Sequence, residues 1–239
     1  DWSSDVCSSD LMTALSSVLG MMGNGIAQTA ATAGFDVVMC DIDEKRVKAG
    51  IEAVSKSLDR FVKKETMTEN EKRNVLGRIT TTTALADLKS CALIVEAATE
   101  NIEIKLQIFR ELDEIANAEA ILSSNTSSIS ITKIAAATNR PDKVIGMHFM
   151  NPVPLMKLVE VIRGIATSDD TYRKVHEISE RLGKTPLDCQ DFQGFIANRI
   201  LMPMINEAVY ALYEGVATRE SIDGIMKLRS EEHTSELQS

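Results

Sequence analysis

Gly20-Met21-Met22-Gly23-Asn24-Gly25-Ile26-Ala27-Gln28, trailed by Phe35-Asp36-Val37-Val38-Met39-Cys40-Asp41, is the stretch whose reading decides the fold class. The glycines open a helical run from Met22 to Ala33. Glycine there permits a tight turn and lets backbone N–H groups approach an anion at a helix N-terminus. The apolar run that follows is short and ends on an acid. Outward from this unit the same rhythm repeats. Cys91–Ala97, Ala120–Ser123 and Val144–His148 are further apolar runs, and Glu44–Lys64, Ile102–Asn117 and Ile129–Ala137 are helical stretches between them. Strands alternating with helices imply parallel βαβ units. Strands that are apolar on both faces imply a sheet covered on both sides. The expected fold is α/β, a Rossmann-like doubly wound and mostly parallel sheet.

The rhythm breaks at Asn151-Pro152-Val153-Pro154, after which Leu155–Ile162 reads as a strand and Asp170–Leu182 as a helix. From Gly194 the texture changes. Phe195, Ile196, Ile200, Met204, Ala208, Val209 and Leu212 recur at helical spacing. Pro203 should kink this helix. Gly215 ends it, and Thr218 is placed to cap a second one. An all-α domain is therefore expected to start near Asp191.

The two ends read differently. The peptide from Arg229 can be coded by the DNA word AGATCGGAAGAGCAC and its continuation. The reverse complement, in another frame, codes the N-terminal peptide through Cys7, Ser8, Ser9, Asp10 and Leu11. Residues 1–11 and 229–239 are therefore expected to be adapter-derived and are set apart from the fold. That leaves a nucleotide-binding domain over 12–190 and a truncated helical domain over 191–228. The segment alone is expected not to turn over, because apolar residues such as Ile200, Met204 and Leu212 would lack packing partners.

A hydrophobic fraction of 44% in 239 residues suits a globular core. A formal charge of −9 argues against nucleic acid or an anionic membrane as the main partner. No apolar run is long enough to span a bilayer. Cys40, Cys91 and Cys189 lack metal-ligand spacing and read as buried thiols of a cytoplasmic protein.

Gly20, Met22 and Gly23 are the candidate phosphate-binding positions. Asp41 follows at roughly the twenty-residue distance at which a carboxylate takes the ribose hydroxyls of a dinucleotide. A carboxylate there repels an extra phosphate, so the expected cofactor is NAD rather than NADP. Val18 stands where the fingerprint has its first glycine, and Ala14-Leu15-Ser16-Ser17 is a poor central strand by composition.

Three longer motifs carry chemistry: Ser123–Ser128 (SSNTSS), Gly146–Val161 (GMHFMNPVPLMKLVEV) and Gly194–Arg199 (GFIANR). His148 ends a strand at the edge where ligands bind in open α/β sheets. Its imidazole can take and return a proton near neutrality. Glu160, on the next strand, can hold the other ring nitrogen and support the imidazolium. These motifs closely resemble the 3-hydroxyacyl-CoA dehydrogenase family, in particular its 3-hydroxybutyryl-CoA type, and the likeness runs from about Gly20 to Leu228.

The resemblance implies an oxidoreductase passing a hydride between NAD and C3 of a 3-hydroxyacyl-CoA, in fatty-acid or butyrate metabolism. It implies His148 and Glu160 as the catalytic pair, with Ser127 and Asn198 hydrogen-bonding the reacting oxygen. Glu100, Lys105, Asn125 and Asn151 match positions near the cofactor. Ser57 and Lys64 match positions that contact CoA, and Lys63 and Lys64 would supply local positive charge. Ser127 could equally be a helix cap, Lys105 a solvated helix charge, and Lys64 part of a solvated basic face. Gln193 replaces the family's usual proline. A homodimer is expected at full length, without nucleic acid or membrane. A non-catalytic, crystallin-like NAD-binding protein and a module of a multifunctional β-oxidation protein are the alternative readings.

Overall fold

The computed structural model describes residues 13–18 and 21–236. They divide into two compact units that meet in the chain between Phe195 and Ile196. The first unit holds one eight-stranded sheet ordered β3-β2-β1-β4-β5-β6-β7-β8. The strands are β1 (Thr13–Val18), β2 (Asp36–Cys40), β3 (Ile79–Thr82), β4 (Leu93–Glu96), β5 (Ile121–Ser124), β6 (Val144–Phe149), β7 (Leu158–Arg163) and β8 (Thr185–Gln190). Every neighbouring pair is parallel except β6 with β7. The Rossmann-like, mostly parallel sheet is as expected.

Strand order reverses between β1 and β4, and that switch point leaves a crevice at the carboxyl edge. Helix α1 (Met21–Thr32) rises from this edge directly after β1. Alternation along each strand fills two cores. Val37, Met39, Leu93, Val95, Ile145 and Met147 face the layer that contains Ile26, Ala30, Val54 and Leu58. Cys40, Ile94, Leu122 and Val144 face Phe109, Leu112, Ile131 and Ile134 on the other side.

Helices α2 (Glu44–Lys63), α3 (Glu69–Gly77), α4 (Ile102–Ile115), α5 (Ile131–Ala135) and α6 (Asp169–Arg181) complete the layers. Asp43, Asn101 and Ser168 accept backbone N–H groups at the starts of α2, α4 and α6. Four elements depart from the sequence reading. The serine-rich segment Thr13–Val18, poor by composition, is a central strand because β2 and β4 pair with it on both sides. α3 and β3 were not anticipated, since Glu69–Gly77 is nearly all polar; Thr68 and Glu71 start α3 with a reciprocal capping box. β8 was also not anticipated. It contains Pro186, which an edge strand tolerates.

The second unit, described by itself, consists of α7 (Ala197–Tyr213) and α8 (Arg219–Glu236). α7 runs on through Pro203 and ends before Gly215, whose φ is +72°. Thr218 starts α8, its hydroxyl accepting Ser221 N at 3.2 Å as the cap reading expects.

Candidate active site

His148 and Glu160 are direct cross-strand partners in the antiparallel β6–β7 pair. Residues so placed share one face of the sheet. Imidazole Nδ1 lies 2.7 Å from Glu160 Oε2. The carboxylate accepts there, which puts the ring proton on Nδ1 and turns the lone pair of Nε2 outward. His148 is 6% exposed and Glu160 3%, so water does not compete for this bond. On the same face, Gly146 lets α5 approach: a Cβ there would lie 2.9 Å from Ile131 Cδ1.

The turn joining β6 to β7 is held at several points. Pro152 O accepts Leu155 N and Met156 N, both at 3.0 Å. Lys184 Nζ donates to Val153 O at 2.5 Å and to Met156 O at 2.8 Å. Burial pushes the Lys184 ammonium below the usual lysine range. Gly25 of α1 abuts the same turn, for a Cβ there would meet Val153 Cβ at 2.8 Å. The cofactor-side helix and the catalytic turn are thus in direct contact.

Ser127 follows β5, and its Oγ lies 3.0 Å from His148 Nε2. It does not cap α5; Ser130 does. Thr126 Oγ1 accepts Ile129 N at 3.0 Å and donates to Glu100 Oε2 at 2.7 Å. Ser127 N donates to Glu100 Oε1 at 3.0 Å. Asn125 Oδ1 accepts Phe149 N at 2.8 Å, which ties this loop to the strand carrying His148. Lys105 is not a solvated charge. It is 1% exposed and forms an ion pair with Glu96, itself fully buried. Ser124 Oγ joins the pair, donating to Glu96 Oε2 at 2.9 Å.

Phe195 was expected only as part of a helical stripe. It lies before α7, with its ring centroid 5.8 Å from that of His148. Its φ of +48° is a left-handed conformation that a non-glycine residue adopts at a cost. Burial of the ring at 1% exposure holds it there. Asp191, just upstream, accepts Ser130 Oγ, Ile131 N and Thr132 N at 2.6, 2.9 and 2.7 Å. Glu96, Lys184 and Phe195 were missed as site residues. The signal for Glu96 was an acid inside an apolar strand run; Lys184 and Phe195 carry none that is local.

The crevice suits a dinucleotide. Asp41 follows β2 at the same carboxyl edge as the start of α1, and its Oδ1 accepts Ile42 N at 2.6 Å. Asn24 Oδ1, in the first turn of α1, is a buried acceptor with no partner. Met22 and Gly23 lie in that same turn. Gly20 lies outside the described residues. These groups fit NAD: a helix N-terminus for the pyrophosphate and a carboxylate for the ribose hydroxyls.

A family model described as the 3-hydroxyacyl-CoA dehydrogenase NAD binding domain matches residues 18–192, and its C-terminal counterpart matches 194–231. The chain belongs to the 3-hydroxyacyl-CoA dehydrogenase family. Among members of that family, it is 52% identical over 209 residues to the probable 3-hydroxybutyryl-CoA dehydrogenase of Bacillus subtilis, covering 87% of this chain and 73% of that one. The Deinococcus radiodurans protein of the same description is 56% identical, with 87% of this chain and 75% of the relative covered. The crystal structure of (S)-3-hydroxybutyryl-CoA dehydrogenase from Ralstonia eutropha superposes with a TM-score of 0.88 at 50% identity, over 92% of this chain and 77% of that one.

Within this dehydrogenase framework the structure unites His148, Glu160, Ser127 and Glu100 in one bonded cluster, and Asn125 ties the adjoining loop to Phe149 on the strand carrying His148. Asn151 is exposed on the β6–β7 turn at the same sheet edge. Ser57 is half-buried on α2, and Lys64 is the exposed C-cap of that helix. Asn198 is in the first turn of α7, in the second unit. The buried thiols of Cys40 and Cys91 are pushed up to about 11 and about 12, chiefly by burial, which leaves them protonated and unreactive.

Proposed function

We infer that this chain is an NAD-dependent dehydrogenase interconverting a 3-hydroxyacyl-CoA and its 3-keto counterpart, with 3-hydroxybutyryl-CoA and acetoacetyl-CoA as the pair that its named relatives favour. The observation that carries the reading is the His148 imidazole, held at Nδ1 by Glu160 and directed by Nε2 to the hydroxyl of Ser127. That geometry is a general base with its orienting carboxylate.

In the oxidative direction the C3 hydroxyl of the substrate lies against Ser127 and Nε2. His148 takes the hydroxyl proton as the C3–H bond breaks with its electron pair. NAD, held by the first turn of α1 and by Asp41, would supply the acceptor for that pair as hydride. C3 becomes a ketone, and Glu160 offsets the charge on the imidazolium. In the reverse direction the Nε2 proton returns to the carbonyl oxygen. Phe195 and the buried face of β6–β7 keep bulk water from the pair.

Ser57 and Lys64 are proposed to hold the CoA portion, and Asn198 the reacting oxygen. A cytoplasmic homodimer serving fatty-acid or butyrate metabolism is the wider reading; the three buried thiols support a reducing compartment. Against a non-catalytic binding protein stands the bonded His148–Glu160–Ser127 set, which NAD binding alone does not need. The test is NADH formation from (S)-3-hydroxybutyryl-CoA by the full-length protein. NADH binding without any turnover of that substrate would overturn the reading.

A further inference from the structure

Two hydrogen bonds hold the His148 ring by its edges, Nδ1 to Glu160 and Nε2 to Ser127. The two nitrogens define a line across the ring, and bonds there leave it free to tip about that line. We propose that Phe195 is a positioning residue for His148: its ring closes the open face of the His148–Glu160 pair, and Asp191 anchors the loop that puts it there. The catalytic consequence rests on the dehydrogenase reading above; the geometry does not.

Side-chain alternation sets which face of the sheet is concerned. Met147 and Phe149 point into the layer shared with α1. His148 lies between them and points the other way, as does Gly146, against which Ile131 of α5 packs. Phe195 belongs to that second layer, with Ile131, Ile134, Ile162 and Cys189. Its ring meets the imidazole with the two planes tilted at 59°. Aromatic rings favour tilted contacts over flat stacking. An apolar cover also lowers the local dielectric, which strengthens the Nδ1–Glu160 bond beneath it.

The backbone between β8 and this ring is short and constrained. Phe192 N donates to Gln190 O at 2.7 Å and Phe195 N to Phe192 O at 2.9 Å, which makes the loop a tight turn. Phe192 is exposed, so of the two loop phenylalanines only Phe195 is turned inward. Gly194 and Phe195 are consecutive left-handed residues, with φ of +78° and +48°. Glycine adopts such a φ freely, whereas in phenylalanine it persists only where the surroundings over-determine it. Here the surroundings are the packed ring at one end and Asp191 at the other. Asp191 Oδ2 accepts Ser130 Oγ and Thr132 N, and its Oδ1 accepts Ile131 N, which fastens the root of the loop to the first turn of α5. Thr132 Oγ1 accepts Ile165 N at 3.0 Å, and Ile131 packs on Gly146, so that turn is itself fixed to β6 and to the end of β7. The frame that carries Phe195 is thus the frame that carries His148 and Glu160.

Phe195→Leu removes the ring but keeps an apolar side chain. Phe195→Gly removes the side chain and the backbone cost together. In the full-length protein, NADH affinity measured by fluorescence titration stays within about twofold in both, because the ring lies on the face of the sheet opposite α1. kcat falls on the order of tenfold in Phe195→Gly, and less in Phe195→Leu, as expected of a misplaced catalytic group.

The bond itself is read by NMR without turnover. His148 is one of three histidines, so its Nδ1-bound proton is assigned by comparison with His148→Gln. Exchange of that proton with water should be slow in the parent and on the order of tenfold faster in Phe195→Gly, with Phe195→Leu between them. Asp191→Asn should speed it as well. Adding Asp191→Asn to Phe195→Gly should change it little further, since both act through one ring. A merely structural role would leave this exchange unmoved in the folded variants. If the glycine variant does not fold, Phe195→Leu decides alone. An exchange rate in Phe195→Leu equal to that of the parent overturns the proposal, whatever the turnover. So does fast exchange in the parent, and so does an about tenfold loss of NADH affinity in Phe195→Leu with kcat retained. If the parent shows no dehydrogenase activity, the functional reading fails, while the exchange still decides whether Phe195 closes the pair.

Discussion

At the scale of single residues, the pair that matters is His148 with Glu160, and the two have separable consequences. His148→Gln keeps size and polarity but removes the base. The expected loss in kcat is on the order of 10²–10⁴. Glu160→Gln leaves NADH affinity intact, because the carboxylate is bonded to Nδ1, on the side of the ring away from Ser127. It lowers kcat, since the imidazolium loses its counter-charge. If the two act as one unit, the double variant loses far less than the product of the single losses; steady-state kinetics on the four proteins decides it. Asp41 has a different task. Its replacement by Ala should narrow the preference for NAD over NADP in kcat/KM, and a wild-type enzyme that used both equally would remove the role assigned to that carboxylate.

At the scale of elements, the β6–β7 turn is the shared support of cofactor helix and catalytic pair. Lys184 reaches it from the start of β8, and Gly25 meets it from α1. Lys184→Met removes both donors and leaves two carbonyls short of partners. A loss of about 1–3 kcal/mol is expected from unsatisfied buried groups, read as a lower Tm, together with a fall in kcat at unchanged NADH affinity. Gly25→Ala acts from the other side. Its Cβ would lie 2.8 Å from Val153 Cβ, so α1 and the turn must separate. Overpacking of this kind costs about 1–3 kcal/mol. Because α1 carries the phosphate-binding end, NADH titration should show weakened binding here, in contrast to Lys184→Met.

At the scale of the first unit as a whole, two carboxylates fasten distant segments and make it sensitive to acid. Burial raises the pKa of Asp113, but hydrogen bonds from Asn139 and Arg140 outweigh it and leave the group below its ordinary value. Asp191 behaves alike: burial raises it, and Ser130, Thr132 and Ile131 bring it down overall. A group depressed in the folded state contributes stability that is present above the unfolded value of ~4 and is lost as pH falls through the folded one. Asp113→Asn and Asp191→Asn should therefore lower Tm at pH 7 and lose that deficit progressively in acid. Parallel Tm–pH curves for mutants and parent would show that neither contributes through its charge.

What the sequence determined by itself is what local pattern encodes. Short continuous apolar runs marked β2, β4, β5, β6 and β7, helical spacing marked α1, α2, α4 and α6, and the distance from the glycine cluster to Asp41 marked the crevice. His148 and Glu160 were legible because both lie in strands joined by one short turn. Ser127 was legible in type, while the choice between cap and site was not. The tertiary structure alone decided the rest. Thr13–Val18 is a strand because two neighbours pair with it, and β8 because β7 offers an open edge. Glu100 grips Ser127 across 27 residues, and Lys184 caps a turn 28 to 31 residues away. Lys105 looked like any solvated lysine on a helix until packing buried it against Glu96. A charge taken out of water must find its partner in three dimensions, and sequence spacing carries no record of which strand edge or loop will supply it.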